Sequence, residues 1–414
     1  MILFWLLLIL AGLQALAAAR VIKALSQAET QMPDDAACPR AAVILPLRGA
    51  DPDLSDALEA LFEQDYPNYQ VLVVLDSKED PARQVLEEVL RQRPAKHVRV
   101  GTLASPRSTC SLKVSALLQA IRALDENVEV VALCDADTMP HDTWLRELVA
   151  PLSDRGVVVS SGLRWYMPEE VSWGALVRYL YNVGSLVHAY LYGFGWAGTM
   201  AIKVSFLRDS DLTARWEQAL GDDTLAGIVA RSYGRKQVFV PSLIMVNRET
   251  CTVPDFIDFC RRQLLSVRLH HPAWASVVAH GVVTTAVTTA AVVGFAASLF
   301  TGRWWPALWL LLALLVYAAT MAAIVVGLEY DVRRLVRRRR ESTDWIDGNG
   351  VFGLLLAAPL AQLIYCWVLL SAAVAKSFRW RGIDYQIVGR TGIRMLGYAP
   401  YRSRKEPEDA SESL

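Results

Sequence analysis

The chain has 414 residues, enough for one large or two ordinary domains, and 53% of its side chains are hydrophobic, above the soluble average. Lys+Arg and Asp+Glu both number 42, so net charge gives no argument for a nucleic-acid partner. Six scattered cysteines (Cys38, Cys110, Cys134, Cys251, Cys260, Cys366), with no C-x-x-C pair, exclude a metal knuckle and argue against a disulfide framework.

Residues 2–19 are uncharged and nearly long enough to cross a bilayer as a helix. Arg20 and Lys23 follow at once, and nothing basic precedes the run. That order predicts a retained anchor over residues 1–25 with the following chain in the cytosol. From about residue 40 to 165, apolar runs (Ala41–Leu47, Val71–Leu75, Val98–Leu103, Val130–Cys134, Val157–Gly162) alternate with amphipathic stretches (Leu54–Gln64, Ala82–Gln92, Leu112–Ala123). The alternation predicts a parallel α/β sheet covered by helices, within a cytosolic domain over residues 38–270.

Such sheets bind ligands beyond the carboxyl ends of their strands. Four consecutive strand ends carry charge: Arg48 and Asp51 after Pro46, Asp76 and Asp80, Lys113 at the head of a helix, and Asp135 with Asp137. Helix capping explains some of these acids taken singly. The Asp135-Ala136-Asp137 pair has two readings, a polar strand-end turn or two oxygen ligands for Mg²⁺ or Mn²⁺.

Residues 172–193 mix Trp, Tyr, His188 and Arg178 among small residues, a pattern that suits a helix lying in the membrane plane or an ordinary buried aromatic helix. Gly195 to Met200, containing Trp196 and Gly198, is a small-residue turn where backbone can approach a ligand. Asp222 and Asp223 precede a helix; capping accounts for one of them, not both. A short strand over Val238–Val240 and a basic amphipathic helix over Asp255–Arg268 follow, with His270 and His271 placed at the surface by the membrane border.

Residues 276–300 and 305–328 are long enough to span, and Arg333, Arg334 and Arg337 to Arg340 then lie where the positive-inside rule wants them. Beside two spans, that arginine run reads as a lipid-facing loop rather than a nucleic-acid site. Residues 351–375 are apolar again and contain Pro359. If they cross, the basic tail 379–414 lies outside, against the rule; otherwise the segment re-enters and leaves on the same side. The spans together give a C-terminal membrane region over residues 271–378.

The runs Leu45-Pro46-Leu47-Arg48-Gly49-Ala50-Asp51-Pro52 and Phe62-Glu63-Gln64-Asp65-Tyr66-Pro67-Asn68-Tyr69, with Asp80-Pro81-Ala82, Lys113, Asp135-Ala136-Asp137, Asp222-Asp223 and Trp380-Arg381-Gly382-Ile383-Asp384-Tyr385, closely resemble ceramide glucosyltransferases. These are membrane members of the inverting glycosyltransferase superfamily that includes cellulose and hyaluronan synthases. The resemblance covers roughly residues 40–390. It implies a GT-A nucleotide-diphospho-sugar transferase fold, a mostly parallel sheet with flanking helices, plus transmembrane and interfacial helices. One motif departs: where the family has (Q/R)-x-x-R-W, this chain has Phe259-Cys260-Arg261-Arg262-Gln263. The arginine is kept and the tryptophan that helps line the acceptor site is replaced.

The resemblance further implies a UDP-sugar donor, glucose by default, and a membrane-lipid acceptor such as ceramide, diacylglycerol or a hopanoid, with the bilayer itself as a partner. Asp135 and Asp137 would hold the divalent cation, Asp137 more directly. Lys113 and Arg262 would meet the diphosphate, Pro46, Asp76 and Asp80 the uracil, Trp196, Gly198 and Gln263 the substrates. Asp223 is the expected general base, with Asp222 in reserve. The Ala- and Arg-rich composition suggests a bacterial inner-membrane enzyme facing the cytoplasm. A processive polysaccharide synthase and a non-catalytic scaffold on the same fold are the rival readings.

Overall fold

In a computed structural model, residues 1–30 and 32–401 are described. The part of the predicted tail beyond residue 401 lies outside them. The chain opens with α1 (Ile2–Ser26), then builds β1 (Ala41–Leu47), α2 (Leu54–Phe62), β2 (Tyr69–Leu75), α3 (Ala82–Gln92), β3 (Val98–Thr102), α4 (Leu112–Arg122), β4 (Val130–Cys134) and α5 (Trp144–Val149). There follow β5 (Val157–Tyr166), α6 (Trp173–Tyr192), β6 (Thr199–Lys203), α7 (Val204–Asp209), α8 (Leu212–Trp216), α9 (Asp223–Ser232), β7 (Lys236–Asn247) and α10 (Val253–His270). Three long helices, α11 (Trp274–Phe300), α12 (Trp304–Arg338) and α13 (Gly348–Val374), precede β8 (Ser377–Trp380), β9 (Ile383–Val388) and β10 (Gly392–Met395).

The central sheet has the order β3-β2-β1-β4-β6-β5-β7. It is mostly parallel; β6 alone runs against both its neighbours. The buried strands are continuous apolar runs because helices cover both faces. Two strands extend well past their predicted ends. β5 runs on to Tyr166 and β7 covers twelve residues, paired across register shifts that the alternation of side chains hides.

Four helices, α1, α11, α12 and α13, are long and apolar enough to cross a membrane. α13 passes unbroken through Pro359, about 40 Å at 1.5 Å per residue. Both its ends nevertheless meet the α/β domain. Near its start Gly353 packs against Leu176 of α6, and near its end Arg268 of α10 donates to the Ala372 and Ala375 carbonyls at 2.6 and 2.9 Å. The chain read as a basic tail then forms the three-stranded antiparallel sheet β10-β9-β8, which folds back on the domain. Met395 N–H donates to the Ser108 carbonyl at 2.7 Å, and the Tyr385 hydroxyl accepts from Leu112 N–H at 3.2 Å.

α6 takes up almost the whole of residues 172–193 as a single helix. Ser172 caps its start, and Gly193, at φ +72°, ends it in the left-handed conformation. Its Leu176, Tyr179 and Leu186 are buried against β5, α10 and α13. Arg178 is not left in an apolar medium: its guanidinium stacks 4.1 Å from the Tyr166 ring centre and donates to the Glu249 carbonyl. The two histidines placed at the surface are packed instead. His270 Nε2 accepts from Leu220 N–H at 3.1 Å, and the buried His271 Nδ1 accepts from Ala273 N–H at 3.0 Å.

Candidate active site

The carboxyl edge of the sheet gathers the predicted charges. β4 ends and delivers Asp135 and Asp137; α4, capped by the Ser111 hydroxyl, delivers Lys113 one residue into its first turn. Lys113 Nζ lies 2.6 Å from Asp135 Oδ1 and 3.4 Å from Asp222 Oδ2, the latter an ion-pair distance without hydrogen-bond geometry. Arg164, from the extension of β5, faces the acids from the other side, 3.7 Å from Asp135 and 3.1 Å from Asp137. Burial pushes Asp135 up, but Lys113 and Arg164 outweigh it and hold the carboxyl below its usual range. Burial likewise opposes the Lys113 charge and is overcome by Asp135 and Asp222.

Asp222 and Asp223 stand at the head of α9. The two neighbours have different surroundings. Asp222 is buried, and desolvation, opposed by Lys113, pushes its carboxyl to about 6. Asp223 is partly open to the cavity, and burial also raises it. One of its oxygens accepts from Thr224 N–H at 2.6 Å and the Thr224 hydroxyl at 3.1 Å. That hydroxyl in turn meets Ser266 of α10 at 3.0 Å, so α10 steadies the acid indirectly. Asp223 Oδ2 takes part in no hydrogen bond among the described residues.

At the far end, Arg48 pairs with Asp76 and donates Nε to the Arg381 carbonyl at 3.0 Å. Asp76 also accepts from Tyr401 N–H at 3.2 Å; its Oδ1 is buried without a partner, and burial, opposed by Arg48, raises the carboxyl. Both oxygens of Asp80 face Gly49 N–H, at 3.0 and 3.1 Å, and Oδ1 also accepts from Ala82 N–H at 2.9 Å. Asp80 therefore holds the loop that carries Arg48, and it does not line the cavity as Pro46 and Asp76 do. Gly49 is required there: its φ is +81°, and a Cβ would stand 2.6 Å from the Tyr401 ring.

Arg381-Gly382, directly after Trp380, is the tight turn between β8 and β9. Arg381 and Gly382 both have positive φ, +44° and +80°, as a two-residue hairpin of this hand needs. Arginine is a costly residue in that conformation. It is held by bonds that Asn or Gly could not make: Arg381 grips both oxygens of Asp51, at 3.0 and 2.8 Å, and donates to the Arg48 carbonyl at 2.6 Å. Trp380 supports Arg262, whose guanidinium lies 4.9 Å from its ring centre. Arg262 makes no ion pair among the described residues, and burial with the nearby charges of Arg381 and Arg164 lowers it to about 10.

Trp196 and Gln263 also line the cavity; Gly198 does not. Gly198 acts through its neighbour, because a Cβ there would lie 2.0 Å from the Trp196 indole. The indole so placed lies under Arg164 at 4.6 Å. Arg164 carries no site motif and sits past the predicted strand end; its alternation with Tyr166 along β5 was the available signal. Asp51 and Arg381 were both in quoted motifs, but only folding pairs them, 330 residues apart.

Asp135 and Asp137 offer oxygen-only ligands to the cavity, which fits a hard divalent cation completed by phosphate and water. Among the described residues they form no group of three or more metal-binding side chains. The cavity, about 2170 Å³, is continuous from Pro46 and Asp76 past the acids and α6 into the space between α1, α11, α12 and α13.

The family model for Glycosyl transferase family 21 matches residues 4–393. The chain belongs to that family. A ceramide glucosyltransferase of Komagataella phaffii is 31% identical over 58 residues, which are 14% of this chain and 11% of that protein. The chain thus matches about a tenth of that relative's length. Among solved structures, the mannosyltransferase PcManGT of Pyrobaculum calidifontis, in complex with GDP-Man and Mn²⁺, superposes with a TM-score of 0.50 at 16% identity, over 90% of this chain and 99% of that one. Glucosyl-3-phosphoglycerate synthase of Mycobacterium tuberculosis gives a TM-score of 0.38 at 15% identity, over 55% and 78%. The fold is that of the GT-A glycosyltransferases, and the family to which the chain belongs is one of glycosyltransferases.

Proposed function

We propose that this family member transfers a hexose from a UDP-sugar to the hydroxyl of a membrane lipid, in a single inverting displacement. The observation that carries the reading is the one cavity with a charged end at the sheet edge and an apolar end among helices long enough to span a bilayer. A soluble acceptor needs no such extension, whereas a lipid presents its hydroxyl at the bilayer surface with its chains beyond.

Asp135 and Asp137 would hold a divalent cation, Mg²⁺ or Mn²⁺, which stabilises the departing diphosphate as a Lewis acid. The Mn²⁺ in PcManGT supports that choice. Arg262 and Lys113 face the same developing charge, and their fixed positions require no reorganisation as it forms. The unpartnered Asp76 Oδ1 is suited to accept the imide N–H of a uracil. Asp223 is the general base: its open oxygen takes the acceptor proton as the lipid oxygen attacks the sugar's anomeric carbon and the bond to UDP breaks. Asp222, tied to Lys113, tunes the pair. An α-linked donor then gives a β-glycoside, with no covalent intermediate on the protein.

With β8–β10 folded against the catalytic domain, both flanks of α13 lie on that domain's side. For one unbroken helix this favours a course along the bilayer surface over one that crosses or re-enters, and removes the conflict with the positive-inside rule. Incubating membranes containing the protein with radiolabelled UDP-sugars, then analysing the organic extract by mass spectrometry, tests the function. Labelled glycolipid is expected; label confined to a soluble polymer would instead support a polysaccharide synthase.

A further inference from the structure

The apolar end of the cavity is not uniformly apolar. Gln14 of α1, His188 of α6, His280 of α11 and Tyr317 of α12 all line it, contributed by four different helices. Gln14 Nε2 and His280 Nε2 are 3.0 Å apart, and the His188 ring stands edge-on to His280 with centroids 4.9 Å apart. Leu10 and Leu13, within one turn of Gln14 on α1, and Leu314, one turn from Tyr317 on α12, line the cavity too. Polar side chains in such surroundings are costly unless paired.

The pairing is incomplete. If the Gln14 amide donates to His280, the ring keeps an Nδ1–H donor and the amide keeps an acceptor; with the amide turned over, the roles exchange. Either way the amide and the ring together keep two donors and an acceptor; the Tyr317 hydroxyl stands beside Gln14, and neither Gln14 Oε1 nor His280 Nδ1 has a partner in hydrogen-bond geometry. His188 makes no hydrogen bond among the described residues; it stacks on Tyr192 at 5.9 Å and meets His280 edge-on. None of these groups is used by the chemistry at the sheet edge.

Their depth is set by helix geometry. His280 is six residues along α11 from Trp274, about 9 Å at 1.5 Å per residue. Tyr317 is twelve residues, about 18 Å, along α12 from Glu329. Glu329 is bound to the catalytic domain through Trp165 and Tyr179. The cluster is therefore well inside the bundle, beyond the reach of the reacting hydroxyl.

We propose that His188, with the Gln14–His280 pair behind it, is a second polar subsite that selects lipids carrying an additional hydroxyl within their hydrophobic body. A hydroxyl both donates and accepts, so it can bond the cavity-lining His188 ring in either tautomer. This proposal rests on the lipid-acceptor reading and adds a requirement on the lipid's interior.

The test uses the full-length protein in detergent and two saturated probes of equal length, a long-chain primary alcohol and the same alcohol with a second hydroxyl near mid-chain. Binding is read by thermal stabilisation, independently of transfer. The diol is expected to bind about tenfold tighter. His188→Leu and Gln14→Leu should bring the two probes within twofold, while His188→Gln, which keeps a hydrogen-bonding head, should retain part of the preference. UDP-induced stabilisation in each variant verifies the fold. Equal binding of both probes to the wild type, binding of neither, or an undiminished preference in His188→Leu would overturn the subsite. If the diol preference stands but no lipid is ever glycosylated, the transfer reading falls and the subsite does not.

Discussion

The two ends of the cavity are built on opposite principles. At the sheet edge nearly every charge has a named partner: Lys113 with Asp135, Arg164 with Asp137, Arg48 with Asp76, Arg381 with Asp51. Between the helices there are aromatic rings, aliphatic side chains and a few half-paired polar groups. The first arrangement holds oxygens and cations in fixed places, as displacement of a diphosphate requires. The second fixes shape and leaves the occupant to supply the missing contacts. Substitutions should therefore be all-or-none at the first end and selective at the second.

The largest effect is expected at Asp223. Asp223→Asn should lower transfer by about 10³-fold, in the range for a general base, while UDP-sugar affinity by calorimetry stays within a few-fold of wild type. Loss of nucleotide binding in a folded variant would move the residue to the donor side. Next, Asp137→Ala should weaken Mn²⁺-dependent UDP binding by about 100-fold, and undiminished binding in added Mn²⁺ would refute a metal role.

A smaller effect follows from protonation. Burial raises Asp222 to about 6, so it is charged above that pH and neutral below it. When it takes a proton, Lys113 loses one of its two anionic neighbours. The kcat/KM of transfer should then fall as pH drops through about 6, and Asp222→Asn should shift or remove that limb; a profile flat from pH 5 to 7 contradicts the coupling. The smallest change belongs to the acceptor side. Gln263→Trp, which restores the family's residue, should alter the ranking of lipid acceptors while leaving the donor KM unchanged.

The sheet was legible in the sequence because buried parallel strands are short apolar runs separated by amphipathic helices, and four of its strand ends announced themselves by charge. Asp135, Asp137, Lys113, Asp222 and Asp223 do converge. What escaped was whatever depends on distant pairing. Arg164 lies just past Gly162, where the strand's end was drawn, and beyond a register shift whose extra residues are on β7. Arg381 was recognisable as part of a motif, yet its grip on Asp51 exists only once β8 and β9 return to the sheet edge. Asp80 illustrates the reverse: its position suggested a ligand contact, and its oxygens in fact hold the Gly49 loop. Of the polar cluster, Gln14 and His280 left no local signal, since each interrupts a different apolar helix, and His188 stood out in α6 only as one of several polar residues.

The most direct measurement is photolabelling with a long-chain lipid alcohol that carries a diazirine at mid-chain, with UDP and Mn²⁺ present. The label should appear in peptides from α6, α11 and α12 that line the cavity, around His188, Thr288 and Tyr317. Label confined to outward-facing residues such as Phe300, Trp304 and Trp305, with none inside the cavity, would contradict a lipid acceptor entering between the helices.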